Sequence, residues 1–216
     1  MTTIIEQISR AGSNKEKLAR DVMRQPALVN EVMEGLNAKP ARIKFGCAKV
    51  LRIISKQQPE LLYPHFDAFV RLLDHENKIF QWEAIFVLAG LVKVDSANQF
   101  EAVFYRYFKP ITGPVMITAA NIIGSAATIA RAKPAWADRI AAEILKVRRG
   151  HYQTDECRNV VLGHAIQSFG VFMDLIHEPT PIVKFVTEQL ENPRKATRKK
   201  AEMFVKKRAR QKKCPA

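Results

Sequence analysis

Apolar positions recur along this chain at helical spacing, and the recurrence repeats over longer distances. The stretches LNAKPARIKFGCAKVL (36–51), LDHENKIFQWEAIFVL (73–88) and LENPRKATRKKAEMFV (190–205) align without gaps, each a leucine, a polar turn and then a helical pattern. Within each pattern, small or apolar residues follow a first anchor by four and eight positions: Ile43, Cys47, Leu51; Phe80, Ala84, Leu88; Thr197, Ala201, Val205. That spacing makes one face of a helix. Weaker copies are placed at Met116, Ala120, Gly124 and at Cys157, Val161, Ala165, so that first anchors recur every 36 to 41 residues. Helices are predicted near 40–57, 77–93, 114–131, 155–173 and 194–205.

A second set of helical patterns lies between these: PELLYPHFDAFVRLL from 59, SANQFEAVFYRYF from 96, PAWADRIAAEIL from 134 and PTPIVKFVTEQL from 179. Most open on proline, which is cheap at a helix start because its missing N–H has no intrahelical acceptor there. Pro64, inside the first, is predicted to kink it. There is no alternating strand pattern and no Asn-Gly hairpin signal, so the fold class is all-α, built of repeated helix pairs.

The segment ELLYPHFDAFVRLLDHENKIFQWEAIFVLAGL, residues 60–91, resembles a HEAT repeat: an outer helix ending in Leu-Leu, a turn with Asp, then an inner helix with Ala and Leu at fixed offsets. The resemblance covers roughly residues 26–213. A basic residue after the inner helix's first anchor fits that family at Lys44, Arg158 and Arg198, whereas Gln81 and Ile117 depart from it. The resemblance implies a right-handed α-solenoid of about five helix pairs, with the proline-started helices outside and the anchored helices lining the concave face. It places one domain over 1–205, closed by a capping helix at 194–205, and leaves 206–216 as a basic tail. It implies no reaction, because fold is weak evidence for function.

Composition agrees with a packed protein: 216 residues, 47% hydrophobic and 26% charged, enough for one large core or a short array. The uncharged run PITGPVMITAANIIGSAATIA (110–130) is long enough to span a bilayer, but its prolines, Thr118, Asn121, Ser125 and Thr128 point to a helix buried among helices. No membrane association is expected. The start MTTIIEQISRAG carries no basic stretch followed by an apolar core, so cytoplasm is the expected compartment. Cys47, Cys157 and Cys214 are far apart and odd in number, as free thiols are.

The usual catalytic and nucleotide-binding motifs are absent, and no cofactor or metal is expected from the sequence. The five histidines never pair at i, i+4, and HYQTDEC (151–157) is too loose for a zinc site. One specific enzymatic reading comes from the resemblance: some DNA glycosylases acting on alkylated bases are built of similar repeats and use a concave-face carboxylate near aromatic rings. Glu83, next to Trp82, is the residue that fits. Packing is the weightier reading of that tryptophan, since its helix is apolar nearly all round and adjacent residues point about 100° apart. A helix of that kind can instead offer an apolar groove, for which Trp82, Phe86, Asn121 and Ser125 are the candidate lining residues. Arg42, Lys49, Arg52 and Lys56 form a basic helix face, but residues 152–193 hold six acids and two bases, so a continuous positive groove is not predicted.

Charge is concentrated at the end of the sequence. The net charge is +14, and residues 192–213 hold eleven Lys or Arg against the single acid Glu202. Thr197, Ala201, Phe204 and Val205 nevertheless form an apolar stripe, as a terminal repeat requires. Beyond it, KKRARQKK loses the stripe, so Lys206, Lys207, Arg208, Arg210, Lys212 and Lys213 are the candidate polyanion-binding residues. The function expected from the sequence is a non-enzymatic scaffold for a macromolecular partner, a protein first and a nucleic acid second.

Overall fold

The structure, a computed structural model, describes residues 2–213, with side chains through residue 210. Among the described residues the fold is all-helical, with twelve α-helices and no strand. They are α1 (Ile4–Ser9), α2 (Lys15–Arg24), α3 (Leu28–Glu34), α4 (Ala41–Gln57), α5 (Phe66–Leu72) and α6 (Lys78–Leu91), then α7 (Gln99–Phe108), α8 (Met116–Ala132), α9 (Ala137–Leu145), α10 (Asp155–Phe172), α11 (Thr180–Glu188) and α12 (Lys195–Lys213). Contacts divide the chain into two compact units, Met1–Val103 and Phe104–Ala216, with the division inside α7.

In the first unit, α1, α2 and α3 pack around α4, and α4 packs on α6, which α5 covers. The sequence reading passed over α1 and α2, yet both carry start signals. Thr3 and Glu6 form a capping box, and Asn14 accepts from the Lys17 N–H. As Pro64 predicted, the segment from 59 does not run as one helix. It is two 3-10 turns, Pro59–Leu61 and Tyr63–His65, before α5 begins at Phe66. A buried carboxylate anchors the next helix: Asp95 accepts the Tyr63 hydroxyl at 2.7 Å and the N–H groups of Gln99 and Phe100 at 2.8 and 2.9 Å. These bonds satisfy donors at the first turn of α7 that the helix itself cannot.

In the second unit, α8 packs on α10 and α10 on α12, while α9 and α11 lie against these long helices. Hydroxyls tie the long helices together. Ser168 donates to the Ile123 carbonyl at 2.8 Å, and Thr197 donates to the Asn159 carbonyl at 2.8 Å. The second bond needs Gly163, because a Cβ there would stand 2.8 Å from the Thr197 oxygen. Two of the basic residues after first anchors clamp the turn before their helix: Arg158 donates to the Arg148 carbonyl, and Arg198 to those of Asn192 and Pro193.

Most predicted anchors are buried, including Cys47, Leu51, Phe80, Ala84, Leu88, Val161, Ala165, Thr197 and Ala201. Two readings are corrected. On α8 the buried stripe is Thr118, Ile122, Ser125 and Ile129, whereas Gly124 is exposed and Met116 and Ala120 are only half-buried. An uncharged helix of small residues reads as apolar on any face, so its phase was misassigned. On α12, Phe204 is buried and Val205 is 38% exposed. The stripe continues 197, 201, 204 and then the half-buried Arg208, since at 100° per residue position 205 has turned away. The helix has no break at 205 and is continuous to Lys213.

Candidate partner-binding surfaces

The candidate groove residues fall on two helices in different units. On α6, Trp82 and Phe86 are both half-buried. Phe86 lies under the Arg52 guanidinium, 5.1 Å from its ring centroid, and Arg52 also reaches a carboxylate oxygen of Glu83 at 3.4 Å. The other Glu83 oxygen, Oε2, is buried without a hydrogen-bond partner. Burial pushes the Glu83 carboxyl above its ordinary range, against the pull of Arg52, Lys49 and Lys56. So α4 and α6 join the basic helix face to Glu83 through one arginine. Of that face, Arg42, Lys49 and Lys56 remain exposed.

On α8, Asn121 is half-buried and follows the same helix edge as the exposed Ile117 and Gly124. Ser125 lies about 40° around the helix from Asn121, away from Ile117 and Gly124; it is 5% exposed, and its hydroxyl hydrogen-bonds the phenol of Tyr107. Tyr107 is itself buried, which pushes its ionisation well above the ordinary range. Ser125 therefore satisfies a core tyrosine and does not line a surface. One position separates it from the exposed Gly124, and one position on a helix is 100° of rotation.

Among the described residues no three His, Cys, Asp or Glu side chains come together as a metal site, and no helix is long and apolar enough to cross a membrane. No family model, curated protein or solved structure matches the chain. The surfaces must be read from their own chemistry.

An open apolar surface lies in the second unit, between the last turns of α10 and the middle of α12. A shallow groove of about 510 Å³ is lined there by Ile166, Gln167, Gly170 and Val171 from α10, and by Lys200, Met203, Phe204 and Lys207 from α12. Val171 is 50% and Met203 63% exposed. A second hollow of about 540 Å³ adjoins it, sharing Gly170, Val171, Phe204 and Lys207 and adding Arg131, Asp174 and Arg208. Sequence reasoning missed Val171 and Met203. The available signal was Met203, an apolar residue among lysines and off the anchor stripe of its helix.

Of the basic residues near the end of the chain, Lys206, Lys207 and Arg210 are exposed and Arg208 is half-buried. Lys207 donates to the Gly170 carbonyl at 3.4 Å, close to the end of α10, where the helix dipole favours a cation. The side chains of Lys212 and Lys213 lie outside the described residues. Upstream, Arg131 holds Asp174, Arg194 holds Glu156 and Arg148 holds Glu188.

Proposed function

We propose that this chain is a non-enzymatic, HEAT-like α-solenoid scaffold that binds a protein partner. The solenoid reading is supported by packing order within each unit: α4 on α6 in the first, α8 on α10 and α10 on α12 in the second. In a solenoid each repeat touches its neighbours, and function resides on the surface the stack presents. The observation that carries the binding role is the pair of large apolar side chains, Val171 and Met203, half or more exposed on facing edges of a groove. Grouped apolar exposure of this kind marks association sites more often than it marks accident.

The test is capture of partners by the full chain with and without nuclease, at low and at moderate salt. A stoichiometric protein that survives both treatments is the expected result; capture that disappears with nuclease overturns it.

A second reading is favoured by one observation, the continuation of α12 as helix through KKRARQKK. In that reading Lys206, Lys207, Arg208 and Arg210, with Lys212 and Lys213, bind RNA or DNA without sequence preference. Neutralising about six phosphates would give a slope of log K against log salt near about −5. Removal of residues 206–216 then flattens the slope; unchanged binding by the shortened chain excludes this reading. A glycosylase acting through Glu83 is its most specific form, and is excluded if Glu83→Gln leaves release of an alkylated base unchanged or the wild type releases none.

A further inference from the structure

We propose that the groove between α10 and α12 seats an amphipathic helix from the partner protein, one whose apolar side is flanked by acids two turns apart. This rests on the scaffold reading above and specifies what the scaffold holds.

Three features of the groove select that occupant. Its floor is apolar: Val171 lines it from α10, and Met203 and the largely buried Phe204 from α12. Its two walls are helices, and a trough between helices accepts a third helix through anchors at i, i+3, i+4 and i+7. Its charge is one-sided: Lys200 and Lys207 bracket Met203 on α12, three residues before and four after. Those lysines stand about 10.5 Å apart along the axis, two turns of an α-helix. Acids seven residues apart on a partner helix match that step, and the residues between them fall over Met203 and Val171.

Neither lysine is paired with a carboxylate among the described residues. Lys200 is held below its ordinary range by burial and by Arg194, so an incoming carboxylate would relieve an unfavourable site. Lys207 donates to the Gly170 carbonyl and feels Asp174 only at longer range. Asp174, which lines the adjoining hollow, is held by Arg131 in a two-pronged contact at 2.7 and 2.9 Å, so its charge is partly neutralised toward an incoming acid. A nucleic acid fits the groove less well. The lysines are separated by methionine and valine, which offer phosphates nothing, and its one aromatic ring, Phe204, is 7% exposed, too little for a base to stack on.

The test uses a display library of helix-forming peptides selected against the full chain. Enriched peptides are expected to carry Asp or Glu at i and i+7, with apolar residues at i+3 and i+4. Their affinity should fall at least tenfold in Val171→Asp and in the Lys200→Glu, Lys207→Glu double variant. The double variant should instead prefer the peptide with its acids changed to lysine. Circular dichroism and melting check that each variant is folded; should Val171→Asp be damaged, Met203→Asp, at a side chain 63% exposed, replaces it.

The groove proposal is overturned if selection enriches nothing, if the enriched peptides lack acids, or if they bind the folded variants as tightly as the wild type. It is also overturned if a single-stranded RNA oligomer displaces them and shows the same dependence on the lysines. A protein captured equally by the wild type and by folded Val171→Asp would leave the scaffold reading standing and remove this groove. Capture of nucleic acid alone would remove both.

Discussion

A Cβ built on Gly90 of α6 would stand 2.5 Å from the backbone carbonyl oxygen of Ser55 in α4. The two helices meet there backbone to side, and the obstructing atom cannot rotate away as a side chain could. Gly90→Ala is therefore expected to destabilise the protein by about 1–3 kcal/mol through overpacking. Alanine's better helix propensity, about 1 kcal/mol, offsets only part of this. Urea unfolding of the pair of proteins measures it. Equal midpoints would mean that α4 and α6 can separate at no cost.

Among the described side chains of α12, Phe204 is the last large one buried, at 7% exposure. Phe204→Ala should cost about 3 kcal/mol, the usual scale for a buried ring, and lower the melting temperature by several degrees. Val205→Ala, one position on and 38% exposed, should change it little. A similar melt for all three proteins would show that α12 does not depend on this contact.

Glu83 links stability to pH. Its carboxyl is raised above the ordinary value by burial, with Arg52 opposing. A group with a raised folded pKa binds its proton more tightly in the fold, so stability falls as pH rises from the unfolded value through the folded one. Glu83→Gln removes that loss. The variant is expected to be more stable than the wild type at pH 7, with the difference closing as the pH drops below about 4. A wild type more stable at pH 7 would mean that the Arg52 contact outweighs burial.

Cys47 should resist alkylation. Its thiol is fully buried against Gly35, and burial pushes its pKa up to about 11 despite nearby Lys15. Thiolate is the reacting form. With iodoacetamide at pH 8, the half-buried Cys157 is expected to label in the native protein and Cys47 only after denaturant is added, as peptide mass analysis would show. Native labelling of Cys47 would reveal local opening around α4.

Much of the helical framework was legible because it depends on local spacing. Ile43, Cys47 and Leu51 announce α4, and the prolines at 59, 134 and 179 mark where the next segments turn. Phase is clearest where charges mark the wet side. On α12, lysines and arginines frame Thr197, Ala201 and Phe204; on α8 nothing charged intervenes between Met116 and Arg131, and the wrong stripe was chosen. Ser125 was misplaced for the same reason. The groove at Val171 and Met203 was not legible at all, because it depends on which edges of α10 and α12 are left open once the helices pack, and no local pattern encodes that.

The continuity of α12 from Lys195 to Lys213 bears on how a partner would meet it. A basic segment that folds only on contact gives up chain entropy at that moment, which weakens the complex and lets it adapt to many shapes. Here Thr197, Ala201 and Phe204 fix one end of the helix within the fold, and the cations that follow emerge in a set rotation and rise. On the binding readings proposed above, the segment would act as a ruler more than a string, discriminating among acidic partners by the spacing of their charges as well as by their number.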